Sequence, residues 1–269
     1  MYFPKTVKKT ESGAASPAKP NVTFLRADDV LGNIVRDGNG VRILGDIVPK
    51  PGAKMIQVYM TPSKQEKNYA SDGDEDQETI TQTFVGWHPG DSLDINEFVQ
   101  NNLGVGYIII ADNCTDGNMR VYGTLCSPMK LNVEKTNDES GNGVQMTFEQ
   151  AVGTKFVPGF YSGSLAFAEP HSTDEDLNLT VANGSQYLLD ASAAGEALDV
   201  VSIDIPHGET VTLIGQGGTT PMKLENGAST AATVILKDGT QWNALKDATI
   251  TLRVFDDGAT IYLIEENRS

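Results

Sequence analysis

Apolar and polar positions alternate in short runs through the second half of the chain. The runs are "LNLTV" (177–181), "QYLLD" (186–190), "DVVSIDI" (199–205), "TVTLIG" (210–215), "PMKLE" (221–225), "TVILK" (233–237), "TITLRVF" (249–255) and "TIYLIEE" (260–266). Alternation puts successive side chains on opposite faces, and turn residues separate the runs, so the pattern predicts β-strands of a sandwich or barrel. Two Asp-Gly pairs suit tight hairpins. A two-residue turn at Asp257-Gly258 predicts that Val254 faces Ile261 and Leu252 faces Leu263. The same turn at Asp238-Gly239 predicts Ile235 opposite Trp242.

The first half contains one helical pattern. In "DSLDINEFVQNNLG" (91–104), Asp94 is placed to cap the N-terminus and Glu97 to complete a capping box. Ile95, Phe98, Val99 and Leu103 form the apolar stripe, and Gly104 suits a left-handed C-terminal cap. The spacing predicts a helix near 95–103. After it come "YIIIA" (107–111), a turn at Asp116-Gly117 and "MRVYGTL" (119–125), read as a hairpin. That register sets Cys114 against Met119 and Cys126 against Tyr107, roughly 23 Å apart along the sheet at ~3.3 Å per residue. Such a separation is far beyond disulfide reach, so both thiols are expected to be free and structural.

The elements suggest four parts: an extended arm (1–27), a β domain with the one helix (28–168), a linker at 169–175 in "AEPHSTDED", and a smaller β domain (176–269). The arm, with "KKTESGAASPAKPN", lacks apolar periodicity and has no core of its own to offset its chain entropy.

Charge divides along the same lines. The 269 residues carry 36 acidic and 20 basic side chains, a net −16. Residues 1–27, with Lys5, Lys8, Lys9, Lys19 and Arg26, are +4, while 28–170 and 171–269 are each −10. This balance argues against general nucleic-acid binding, which needs a positive field. It makes the arm a candidate assembly element docking on an acidic neighbour. No stretch approaches the ~20 apolar residues of a membrane span, so no membrane association is expected. The opening "MYFPKTVKKT" lacks the apolar core of a signal peptide, so synthesis in a cytoplasm is expected.

Candidate chemistry is sparse. His88, His171 and His207 each adjoin a proline, are read as turn residues, and have no partner at metal-ligand spacing. Ser162 in "GFYSGSL" lacks the preceding glycine of a nucleophile elbow. The Gly-rich "GQGGTTP" (215–221) matches no phosphate-binding motif and reads as a loop. Asp72, Asp74, Asp76 and Glu78 begin like a calcium loop, but Gln77 and Thr83 stand where an EF-hand needs Gly and Glu. No catalytic residue, metal site or cofactor is expected, and the chain reads as a non-enzyme.

A strand-rich start, one short capped helix, "YIIIADN", a D-G turn, "MRVYGTL", the polar hairpin "LNVEKTNDESGNGVQMTFEQ" and a closing "PGFYSGSL" follow one another in the first domain. This order resembles tail-tube-type structural proteins of tailed bacteriophages, which have a β-sandwich or barrel flanked by one helix. The last domain, with "TVTLIG" and the closing "DGATIYLIEENR", resembles small β-domains of phage fibre and decoration proteins. The resemblance covers roughly 28–165. It implies a virion structural protein that forms a homo-oligomer and contacts other virion proteins, with host-surface contact through the C-terminal domain. The acidic loop 64–78 and the basic arm go beyond a minimal tube subunit, which keeps a capsid decoration or head-fibre role open. A different class, a carbohydrate- or calcium-binding β-module using Trp242, Tyr262 and the acidic loop, is the remaining alternative.

Overall fold

Runs of alternating β-branched and aromatic residues build strands throughout the chain. A computed structural model describes residues 4–9, 13–114, 119–139 and 141–269, and its fold is all-β with one α-helix among those residues. The Asp116-Gly117 turn lies outside the described residues. Two compact units form: one from the described residues up to Asp29, Ile34–Ile43 and Met55–Ser162, the other from Val30–Asn33, Leu44–Lys54 and Gly163–Ser269. The units are thus not consecutive stretches divided at 169–175, because two early segments are built into the second.

The first unit comprises β1 (Asn21–Arg26), β2 (Ile56–Tyr59), β3 (Glu66–Asp72), β4 (Thr79–Pro89), α1 (Leu93–Asn102), β5 (Gly106–Ala111), β6 (Met119–Tyr122), β7 (Met129–Asp138), β8 (Gly141–Gln150) and β9 (Gly159–Tyr161). Its described strands make one sheet in the order β2-β1-β5-β7-β8-β4-β3, with β6 joining β5 to β9. Phe24, Phe84, Tyr107, Met146 and Phe148 are buried on its inner face. Phe24 packs tilted against Phe148, with ring centroids 5.1 Å apart, and lies edge-on to Tyr107 at 5.8 Å. Helix α1 covers this core with Ile95, Phe98 and Val99.

The helix starts two residues earlier than the sequence suggested. Ser92 is its N-cap, accepting weakly from the Ile95 amide at 3.4 Å, so Asp94 lies inside the first turn and no capping box forms. Leu103 and Gly104 do not form a left-handed cap. Leu103 is extended (φ −62, ψ 127), Gly104 has φ +79, and the Val105 amide donates to the Asn102 carbonyl. That is a type II turn, whose third position needs positive φ and hence glycine. In the β5–β6 ladder Ile109 faces Tyr122, while Tyr107 pairs with Met129 of β7 rather than with Cys126. Cys114 and Cys126 are both free, and both are exposed rather than packed.

The arm ends sooner than residue 27. Strand β1 lies between β2 and β5 with Val22, Phe24 and Leu25 buried. Upstream of it, the Lys19 amide donates to the Asp112 carbonyl and the Pro17 carbonyl accepts from the Cys114 amide. Residues 17–26 are therefore part of the sheet, because main-chain pairing compensates for the weak local pattern.

The second unit holds β10 (His171–Thr173), β11 (Asp176–Leu179), β12 (Gln186–Leu189), β13 (Asp199–Ile203), β14 (Thr210–Ile214), β15 (Lys223–Leu224), β16 (Gly227–Ala228), β17 (Thr233–Ile235), β18 (Trp242–Asn243), β19 (Thr249–Asp256) and β20 (Ile261–Arg268). One sheet runs β10-β12-β14-β19-β20-β17-β16, and β11–β13 and β15–β18 form two small ladders. β10 falls inside the expected linker: its three polar residues pair in parallel with β12.

Both Asp-Gly pairs are turns, but neither sets the predicted register. Asp257-Gly258 belongs to a four-residue loop in which the Asp257 carboxylate accepts from the Ala259 and Thr260 amides. Val254 therefore faces Leu263, a slip of two residues that keeps Val254, Leu252 and Leu263 on the buried face. Asp238 (φ 57) and Gly239 (φ 65) have the expected left-handed conformation, yet β17 pairs with β16 and β20 while β18 pairs with β15. Ile235 and Trp242 diverge into different ladders.

One face of the large sheet packs Tyr187, Val211, Leu213, Ile250, Leu252 and Leu263 into the core. The opposite face carries Thr210, Thr212 and Thr251, and the inserted segment Leu44–Lys54 supplies Asp46 to it. The Asp46 carboxylate accepts from the Ser164 amide (2.9 Å) and from the hydroxyls of Thr210 (2.9 Å) and Thr212 (2.9 Å). Gly45 (φ +71) lies against Asn267 and Thr251, where a side chain would crowd both.

Candidate functional site

The strands β3, β4, β8 and β7 present a second face, opposite the aromatic core. Register places Thr81, Thr83, Val85 and Trp87 of β4 on it, beside Gln145 and Thr147 of β8. The same face carries the carboxylates of Glu66, Asp72, Glu134, Asp138 and Glu149 against Lys130, so its field is acidic. Trp87 is the aromatic feature of this face. Its ring lies over Gly143 of the neighbouring strand, and the Lys64 ammonium stands 4.2 Å from the ring centroid. A hollow of about 380 Å³ opens here between Lys64, Glu66, Trp87, Thr136 and Gln145.

This arrangement makes a direct prediction. A methyl group on Gly143 would collide with both the Trp87 ring and the His88 carbonyl, so Gly143→Ala should displace the ring, shift the β4 backbone and cost about 1–3 kcal/mol. The other tryptophan, Trp242, is buried, so a red-shifted emission would report Trp87. Unchanged emission and stability would show that the ring does not rest on Gly143.

At the two ends of the sheet lie β2 and β3, each paired on one side only among the described residues. β2 exposes Ile56 and Tyr59, and β3 exposes Tyr69. The β3–β4 hairpin ends in the acidic run 71–78, held by the Gln77 amide donating to the Asp74 carbonyl and the Gly73 amide to the Asp72 carboxylate. Among the described residues, no three His, Cys, Asp or Glu side chains come together as a metal site requires, and this loop is no exception.

The five arm cations fall into two groups. Lys5, Lys8 and Lys9 are exposed in a segment without secondary structure. Lys19 pairs with Asp112, whose hydrogen bond and charge raise the ammonium pKa. Arg26, at the end of β1, donates to Asn102 Oδ1 at 3.2 Å. Asn102 also accepts from the Tyr107 hydroxyl, and burial holds that phenol above its usual pKa. Lys19 and Arg26 thus stabilise the unit itself.

The histidines are dispersed. His88 lies in β4 with Nδ1 2.8 Å from the Tyr59 carbonyl, and His171 lies in β10 against Tyr187. These two are strand residues rather than turn residues. His207 precedes β14 and accepts from the Asp256 amide at 3.1 Å. The glycines of 215–221 serve close backbone packing: Gly215 lies against Leu245 and Gly218 against Ser192, leaving no phosphate cradle there. Trp242, one of the aromatic residues of the carbohydrate-binding alternative, is only 3% exposed in the second core. Tyr262 instead stands in a surface row with Phe255 (6.2 Å) and His207 (5.1 Å from Phe255).

Sequence patterning missed the Trp87–Gly143–Lys64 cluster and the Asp46 network. The signal for the first was the alternation in "TITQTFVGW" (79–87); the second had none, since its partners lie far apart in the chain. No family model matches this chain, and no curated protein or solved structure is significantly similar to it.

Proposed function

We propose that the protein is a non-enzymatic structural subunit of a tailed-phage virion that self-assembles through its first unit into the tail tube or a related multimeric component. The observation that carries the reading is an acidic face on a sheet that has two open edges, in a chain whose arm keeps Lys5, Lys8 and Lys9 exposed. Open edges offer main-chain donors and acceptors to a neighbouring chain, which is how β-domains join into larger sheets. An acidic face lining a passage repels phosphates and lets a nucleic acid slide without sticking. No helix among the described residues is long and apolar enough to cross a membrane. On this reading the chain resides in the virion and the second unit contacts other surfaces.

Electron microscopy of the purified chain at rising concentration tests it. Rings or tubes of uniform bore are expected, and a strict monomer overturns the reading. Labelling the protein in intact particles then separates a tail position from a capsid-decoration position.

A second reading, a carbohydrate-binding β-module, is favoured by the surface row His207–Phe255–Tyr262. It requires saccharide binding that Phe255→Ala abolishes.

A further inference from the structure

The sheet of the first unit does not close. Beside the outer edge of β3 stand residues Ala15–Ala18, and a groove of about 720 Å³ separates the two. Glu66, Asn68, Ser63 and Asn113 line it. Gln65 donates through Nε2 to the Lys19 and Met60 carbonyls, while its Oε1 is buried with no hydrogen-bond partner. That acceptor faces the groove side of the residue and is met by a water or by a donor entering the groove.

Residues 4–9, "PKTVKK", are the counterpart. They are exposed without secondary structure, and Val7 is 86% exposed. In an extended strand Lys5, Val7 and Lys9 share one face and Lys8 points to the other. We propose that the segment 4–9 of a second copy of this chain lies in the groove as a strand added to the edge of β3, with its lysines against Glu66 and the carboxylates of the β3–β4 hairpin.

Length, charge and specificity agree. Six extended residues span about 20 Å, close to the reach of the seven residues of β3. β3 and its turn carry Glu66, Asp72, Asp74, Glu75, Asp76 and Glu78, while Lys67, the cation of this strand, is already held by the Asp112 carbonyl and Asn113. Pairing β3 with another β3 would oppose carboxylates to carboxylates and is disfavoured. A lysine-bearing strand removes that repulsion, so the edge rejects its own kind and accepts the arm.

This inference rests on the self-assembly reading and is tested separately from it. With Cys114→Ser and Cys126→Ser as background, full-length Val7→Cys is mixed with full-length Asn68→Cys under mild oxidation. A reducible covalent dimer is expected to form at least about tenfold faster than in a control mixing Val7→Cys with Val181→Cys. The enrichment should vanish in Lys5→Glu/Lys8→Glu/Lys9→Glu and weaken at high salt. Equal rates in both mixtures overturn the proposal. So does a single chain carrying both cysteines that links only within itself, which would place the arm on its own β3. If the wild-type chain sediments as an oligomer but the link fails, the groove proposal falls and assembly stands. If the wild-type chain is monomeric at every concentration, assembly falls, and arm exchange falls with it.

Discussion

Removing residues 1–27 is expected to leave the first unit unable to fold, whereas removing residues 1–16 leaves it folded. The difference is β1. Val22, Phe24 and Leu25 are at most 1% exposed, and the strand lies between β2 and β5. Each such side chain contributes roughly 1.5–3 kcal/mol on burial, and losing Phe24 alone leaves a cavity whose creation costs about 3–5 kcal/mol. β2 and β5 would also expose main-chain groups that β1 now satisfies. The combined loss matches or exceeds the roughly 5–15 kcal/mol of a typical domain. Circular dichroism and thermal unfolding of the two truncations check this. A cooperative transition for the first unit without residues 1–27 would show that β1 is dispensable. Phe24→Ala in the intact chain gives the graded version, a loss of about 3–5 kcal/mol with the arm retained. Only the shorter truncation therefore probes the arm's role in assembly without dismantling the sheet.

How much of this was legible from the residues depends on how local each signal is. The eight alternating runs of the second half all contain strands, because alternation and flanking turn residues act over a few positions. Pairing is less local. The turn conformation at Asp238-Gly239 follows from those two residues, but β17 and β18 leave it for partners elsewhere. At Asp257 the side chain captures two amides and lengthens the loop, and a two-residue slip keeps the same faces buried. The arm's end was misplaced because "KPNVTFLR" is too short to display its alternation against a Pro- and Lys-rich background. Trp242 looked like a surface aromatic beside a turn and is core. Of the candidate site, the cationic arm and acidic hairpin were visible as charge. The groove beside β3 was not, since it arises where residues 15–18 pass the free edge of a strand far from them in sequence.

Asp46 is the position in the second unit where substitution is expected to have the largest effect. Alternating threonines on β14 and β19 suggest a solvated face, yet Thr212 is fully buried and Thr210 and Thr251 nearly so. Thr210 and Thr212 are satisfied because the inserted segment brings the Asp46 carboxylate to them, while the Thr251 hydroxyl accepts from the Asp46 amide and bonds the Thr212 hydroxyl. Asp46→Ala would take their shared carboxylate from the Ser164 amide and the Thr210 and Thr212 hydroxyls, at about 1–3 kcal/mol for each group that neither water nor a neighbouring hydroxyl reaches. Several kcal/mol of lost stability, read by urea unfolding of the second unit, is the expected result. Although the residue as a whole is half-buried, its carboxyl group is withdrawn among these partners. Loss of water raises its pKa above the ordinary aspartate value despite the three donors, and the Glu266 charge adds to the rise. The native state thus holds the proton more tightly than the unfolded chain. The stabilising contribution is complete below the unfolded pKa and declines as pH rises through the folded one. Asp46→Asn removes that titration while keeping one acceptor oxygen. The advantage of the wild type over Asp46→Asn should therefore be largest in acid and shrink toward neutral pH. A stability difference that stays constant across this range would mean that the carboxylate is hydrated and that the threonine face is held by other groups.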